Sequence, residues 1–174
     1  MTQGKLYGTK DKRQLVVMPY DLKLPACGPG VTVKIPANSI VDAKGKLATA
    51  PLKVSIATVN LLSPQQMPGD YSAMGSVGVG GMESYGAGSL DLPAGFTLKP
   101  GASAEVTIPV DRSRLMTGTP APPTVPLLSY DEQKGLWIEE GALTLATVNG
   151  VPAYIGKVKH FTTYNADTLF TDNA

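Results

Sequence analysis

Apolar and polar residues alternate along much of this chain with the two-residue period of a half-buried strand. Val31, Val33 and Ile35 fall on one face, Thr32 and Lys34 on the other, and Val106, Ile108 and Val110 share a face in the same way. Strand-length apolar runs recur at 14–18, 51–59, 88–92, 96–98 and 125–130. The run 51–59 mixes Leu52, Val54, Ile56 and Ala57 as a strand that bends or bulges does. Helical periodicity fails throughout, because Gly or Pro interrupts each window before three turns are complete.

The stretch 125–167 organises the rest. Residues 125–130 lead into Asp131-Glu132-Gln133-Lys134-Gly135, a polar loop whose Gly can take the positive φ that such a turn needs. The chain returns through 136–140, with Trp137 on one face and Leu136 and Ile138 on the other. A second hairpin follows: 143–148 outward, Asn149-Gly150 as the turn, and 153–158 back. Pro93-Ala94-Gly95 predicts another hairpin turn, between 88–92 and 96–98. Residues 62–70 read as surface loop, and the proline-rich stretch 111–126 as an extended connection. The Gly-rich segment 71–85 predicts either two short strands around Gly80-Gly81 or a loop closely approached by other backbone. It feeds no helix and carries no Lys, so it is not a phosphate-cradling loop.

These signals amount to about nine or ten short strands at the spacing of a sandwich or barrel. The expected fold is all-β, an antiparallel two-sheet β-sandwich with little or no helix. Residues 1–13 are expected to be a flexible leader, 14–167 a single domain, and 168–174 a C-terminal tail.

Composition narrows the function. The 19 Gly and 15 Pro are spread between apolar runs, which means many turns, and 43% hydrophobic against 17% charged residues permits a sizeable core. No window reaches the roughly 18 apolar residues of a membrane helix, so no membrane insertion by this segment is expected. The 15 basic residues balance 14 acidic ones and form no stripe with interleaved aromatics, which excludes nucleic acid as a partner. The single cysteine, Cys27, sits in the turn Ala26-Cys27-Gly28-Pro29-Gly30 and allows no internal disulfide or cysteine-based zinc site. No apolar signal segment opens the chain at Met1; the alternatives are a cytoplasmic protein and a piece of a longer secreted one.

Three stretches together carry a resemblance: Val31-Thr32-Val33-Lys34-Ile35-Pro36-Ala37-Asn38-Ser39-Ile40; Val125-Pro126-Leu127-Leu128-Ser129-Tyr130-Asp131-Glu132 with Gly135-Leu136-Trp137-Ile138-Glu139-Glu140-Gly141; and His160-Phe161-Thr162-Thr163-Tyr164-Asn165-Ala166-Asp167. In this order, across 14–167, the chain resembles the extracellular β-sandwich module of the cartilage intermediate layer protein type and its bacterial surface counterparts. That module is similar in turn to the ZU5 domain of ankyrins and netrin receptors. The resemblance implies a non-enzymatic module of a secreted or cell-surface protein, bacterial here, with neighbouring domains of a larger chain and protein or glycan ligands as partners. It also implies a processing reaction. Some ZU5 domains cut their own backbone within a His-Phe-Ser tripeptide, and His160-Phe161-Thr162 stands at the matching place, with Thr for Ser.

Such a cut requires the Thr162 hydroxyl to attack the Phe161 carbonyl carbon, giving an ester that water hydrolyses. It needs a base or polariser in reach, donors for the oxyanion, and a twisted peptide bond. His160, the only His, is the side chain of neutral-range pKa that could serve. The structural alternative makes Phe161 a plug for the core and Thr162 an ordinary strand or turn residue. Glu139 and Glu140, adjacent on a strand, are expected on opposite faces and so do not form an acid–base pair. Asp131 and Glu132 could help ligate calcium, though a solvated turn is the commoner role; one His and scattered carboxylates make no metal site, and no cofactor is expected. Trp137, with Tyr130 and Tyr154, could stack a sugar ring, or pack as core; Tyr164 is open in the same way. The reading is a non-catalytic structural or binding module, with self-cleavage between Phe161 and Thr162 as one alternative and carbohydrate binding as another.

Overall fold

The computed structural model describes residues 6–9, 12–17, 30–76 and 78–170, with backbone alone for the first two segments. Among them 58% lie in strands and 4% in helix, with no helix as long as seven residues, and nearly all pairings are antiparallel. The all-β sandwich expected from the alternation is the fold observed. The strands are β1 (Leu6–Thr9), β2 (Lys12–Val17), β3 (Thr32–Lys34), β4 (Ile40–Asp42), β5 (Leu52–Val59), β6 (Ser72–Gly75), β7 (Gly78–Asp91), β8 (Phe96–Leu98) and β9 (Ala104–Pro109). A helical turn α1 (Arg112–Leu115) precedes β10 (Thr124–Asp131), β11 (Leu136–Val148), β12 (Val151–Val158) and β13 (Thr163–Phe170).

One sheet of 11 strands runs β1-β2-β5-β7-β13-β10-β11-β12-β9-β3, with β6 bridging β11 and β7, and β4 pairs β8 separately. The sheet folds over so that β5, β7, β13 and β10 face β11, β12, β9 and β3. Between these layers lies the larger core, including Val33, Val54, Leu90, Val106, Ile108, Leu127, Leu143, Tyr154 and Tyr164. The turn from one layer to the other falls in β10 and β11, where the register slips between Leu127 and Leu128 and Glu140 is left over as a bulge. Gly86 and Gly88 on β7 let the layers approach. A Cβ on Gly86 would strike the Pro109 carbonyl and Ile108, and one on Gly88 would strike Val31. The close backbone approach suggested by the Gly-rich sequence is therefore real.

A second core lies on the other face of β7, β13 and β10. β7 pairs β13, β13 pairs β10, β10 pairs β11, β11 pairs β6 in parallel, and β6 pairs β7, which closes a ring of five strands. Ala73, Met82, Leu128 and Trp137 fill it, with Val59, Met67 and Ala87 alongside. A bulge at Tyr85, opposite the slip between Ala166 and Asp167, changes the phase of β7, so Met82 and Ser84 face the ring.

Several expectations change at this level. Strands β1 and β2 begin inside 1–13, and β13 continues to Phe170, three residues into the expected tail. In both places backbone pairing to a neighbour extends the sheet beyond the apolar run. The 71–85 segment does form two strands, but the turn between them is near Ser76 and Gly78 (φ 100°), leaving Gly80 and Gly81 inside β7. Pro93-Ala94-Gly95 is a turn, with Phe96 N donating to Pro93 O at 3.1 Å and Gly95 at φ 85°, yet not a hairpin, because β8 leaves the sheet to pair β4. The 62–70 loop is more than surface: Met67 is buried beside the ring, and the Pro68 carbonyl accepts from Trp137 Nε1 at 3.2 Å. Asn149 and Gly150 both have positive φ, 51° and 77°, as the two-residue hairpin requires. Cys27 and its turn lie outside the described residues.

Candidate functional site

The chain between β12 and β13 carries His160-Phe161-Thr162 across the end of the sandwich. Phe161 packs, partly buried, against the larger core. The His160 ring is held by Glu140: its Nε2 lies 2.6 and 2.8 Å from the two carboxylate oxygens, with the His side chain half exposed. Glu140 can meet it because it is the bulged residue of β11, freed from the strict alternation expected of two neighbouring strand residues. The Thr162 hydroxyl donates to the Tyr130 carbonyl at 3.1 Å, and the Thr162 carbonyl accepts from Leu90 N at 2.9 Å. The Tyr164 hydroxyl donates to the His160 carbonyl, and the two rings lie 5.7 Å apart. Burial pushes the Tyr164 phenol well above its usual value, with the Glu140 charge adding to the rise. Among the described residues, the only non-Gly positions with positive φ are Asn38, Tyr71 and Asn149, so the tripeptide carries no left-handed strain.

The aromatic side chains considered for sugar stacking are placed differently. Trp137 and Tyr154 are each 0% exposed. Trp137 fills the ring against Tyr130, whose own ring lies 5.3 Å away and is partly buried. Tyr154 lies in the larger core, its hydroxyl donating to the Pro122 carbonyl at 2.8 Å, and burial pushes its phenol up to about 12. Each of the two side chains points into an interior, and neither offers a ring face to solvent. The Asp131 carboxylate is spent on its own turn, its Oδ1 accepting from Gln133 N at 3.0 Å and Lys134 N at 3.1 Å. No group of three or more His, Cys, Asp or Glu residues is gathered for a metal among the described residues.

The polar cluster that sequence reasoning missed is inside the ring. Ser84, Asn165 and Asp167 are 4%, 0% and 0% exposed. Ser84 Oγ donates to Asn165 Oδ1, and Asn165 Nδ2 donates to Asp167 Oδ2 at 2.9 Å and lies 3.7 Å from Met82 Sδ. The signal was available: Asn165 and Asp167 alternate with Tyr164 and Ala166, so one face of β13 is polar. In a sheet with one dry face that pattern reads as the solvent side, and here the ring covers it.

An open groove of about 700 Å³ lies between the end of β5, the middle of β7 and α1. Val59, Ala87 and Val110 form part of its lining, and Leu62 and Met116, 74% and 86% exposed, stand on it. No described helix is long and apolar enough to cross a membrane. The chain matches no known family model and no curated protein.

Proposed function

We propose that this chain is a non-catalytic structural and binding module of a secreted or cell-surface bacterial protein, spacing or presenting the parts beside it. The observation that carries this reading is where the reactive side chains point. The Thr162 hydroxyl donates a hydrogen bond to the Tyr130 carbonyl, and the His160 ring is held by Glu140, so nucleophile and base are bonded to the scaffold instead of to each other. The resemblance of the three stretches to the cartilage intermediate layer protein type of module supports the extracellular placement. A neighbouring domain of the same parent chain is the partner suited to the groove, since Leu62 and Met116 offer it apolar contacts.

The test is mass spectrometry of the purified chain under denaturing conditions after long incubation. A single species of the full 18.2 kDa is expected. A C-terminal piece of 13 residues beginning at Thr162 would replace this reading with the self-cleaving one. Denaturing conditions are essential, because β13 is paired on both sides and a cut chain would stay assembled. Protease shaving of intact source cells, expected to release peptides of this module, tests its location.

A further inference from the structure

Asp167 is an ionisable side chain that neither the fold nor the proposed module role explains. It lies on β13 inside the five-strand ring, wholly buried, with Oδ2 held by the Asn165 amide and Oδ1 without a hydrogen-bond partner among the described residues. A carboxylate in that position has lost its hydration and regained only part of it. Among the described residues its surroundings supply no free counter-charge. Glu83 and Tyr85 of β7 and Arg114 of α1 interact with it through charge, although Met82 and Ser84 are the β7 side chains that share the ring with it. Arg114 is already taken, its Nη1 on Glu83 Oε1 at 2.7 Å and its Nε on the Ser84 carbonyl at 2.7 Å. From β10 the ring contributes Tyr130. From β11 it contributes Glu139, whose Oε2 accepts from Ser76 N at 2.8 Å, and β6 adds no ionisable group. Loss of solvent therefore dominates and pushes the carboxyl up to about 8, against the pull of the Glu83 backbone N–H, the Asn165 amide and Arg114.

We infer that Asp167 is a proton-operated latch: as a neutral acid it lets the ring close around Trp137, and loss of its proton favours an opened ring in which the carboxylate is hydrated. The direction follows from the two protonation equilibria. In the opened, hydrated state the carboxyl titrates near its ordinary 3.8, and in the closed state near 8. The closed ring binds the proton more tightly, so closure is favoured most below pH 4. The open-to-closed ratio then rises by up to tenfold per pH unit across the interval and levels off above about pH 8.

Trp137 is the chain's only Trp and lies in the same ring, so its fluorescence reports the latch directly. The experiment follows emission wavelength and acrylamide quenching of the full chain from pH 4 to pH 9, beside Asp167→Asn, which keeps the shape and cannot ionise. In the unsubstituted chain, quenching is expected to rise and the urea midpoint to fall between pH 4 and pH 8, then flatten; in D167N both should stay level. A wild-type response that is flat, or a D167N response with the same slope, overturns the inference. Should D167N fail to fold, the carboxyl carbon resonance of Asp167 in the unsubstituted chain decides. A titration midpoint several units above 3.8 supports the latch, and one near 3.8 removes it.

Discussion

Replacing Trp137 with Ala separates a core role from a surface one by magnitude alone. The side chain is 0% exposed and its indole N–H donates to the Pro68 carbonyl. A fully buried Trp removes roughly 150–250 Å² from water, which at about 25 cal/mol per Å² corresponds to about 4–6 kcal/mol as an upper estimate. Measured Trp-to-Ala truncations in cores cost about 3–5 kcal/mol, and the orphaned Pro68 carbonyl adds to the loss. Against a typical total of about 5–15 kcal/mol, that brings the domain near its limit. An exposed sugar platform would change stability by no more than about 0.5 kcal/mol. Urea denaturation followed by far-UV circular dichroism is the assay, since the substitution removes the fluorophore. Trp137→Phe should fall between the two. A loss below about 1 kcal/mol for W137A would refute the placement of Trp137 in the ring. Because the ring core and the sandwich core lie on opposite faces of shared strands, a shallower transition in the variant would show the ring melting first.

Two further substitutions test the packing. Gly86→Ala sets a methyl against the Pro109 carbonyl and, at 2.9 Å, against Ile108 Cγ2; the paired backbone at Pro109 cannot yield cheaply, so a loss of about 1–3 kcal/mol is expected in the same urea assay. Tyr154→Phe removes the donor to the Pro122 carbonyl and should cost about 1 kcal/mol. In the unsubstituted chain the Tyr154 phenol, raised to about 12, should be missing from the ultraviolet titration of tyrosines that ends near pH 11.

Much of the sandwich was legible because local rules and the tertiary fold agree there. Val31, Val33 and Ile35 alternate and are buried on one face, Val106 and Ile108 likewise, and Asn149-Gly150 turns where its positive φ values permit. The ring was not legible, because it depends on pairings distant in sequence: β6 with β11, and β13 between β7 and β10. Once closed, it buries a face of β13 that alternation alone assigns to solvent, which hid Asn165 and Asp167. The bulges at Tyr85 and Glu140 had the same effect on a smaller scale. Each shifts the phase of its strand by one residue, and no feature of single-residue periodicity announces where that happens. Trp137 illustrates the limit: its face was legible, but not whether that face met water or a second interior.

The position of β13 has a consequence for biosynthesis. This strand is made after the other described strands, yet it forms the shared wall of both interiors, flanked by β7 and β10. Until residues 163–170 have left the ribosome, β7 and β10 each have an unsatisfied edge and neither interior can be sealed. Between the emergence of β10 and that of β13, β7 and β10 therefore offer a gap one strand wide. A strand from another chain could enter that gap instead, so the interval before residues 163–170 emerge is when this domain is most exposed to mispairing.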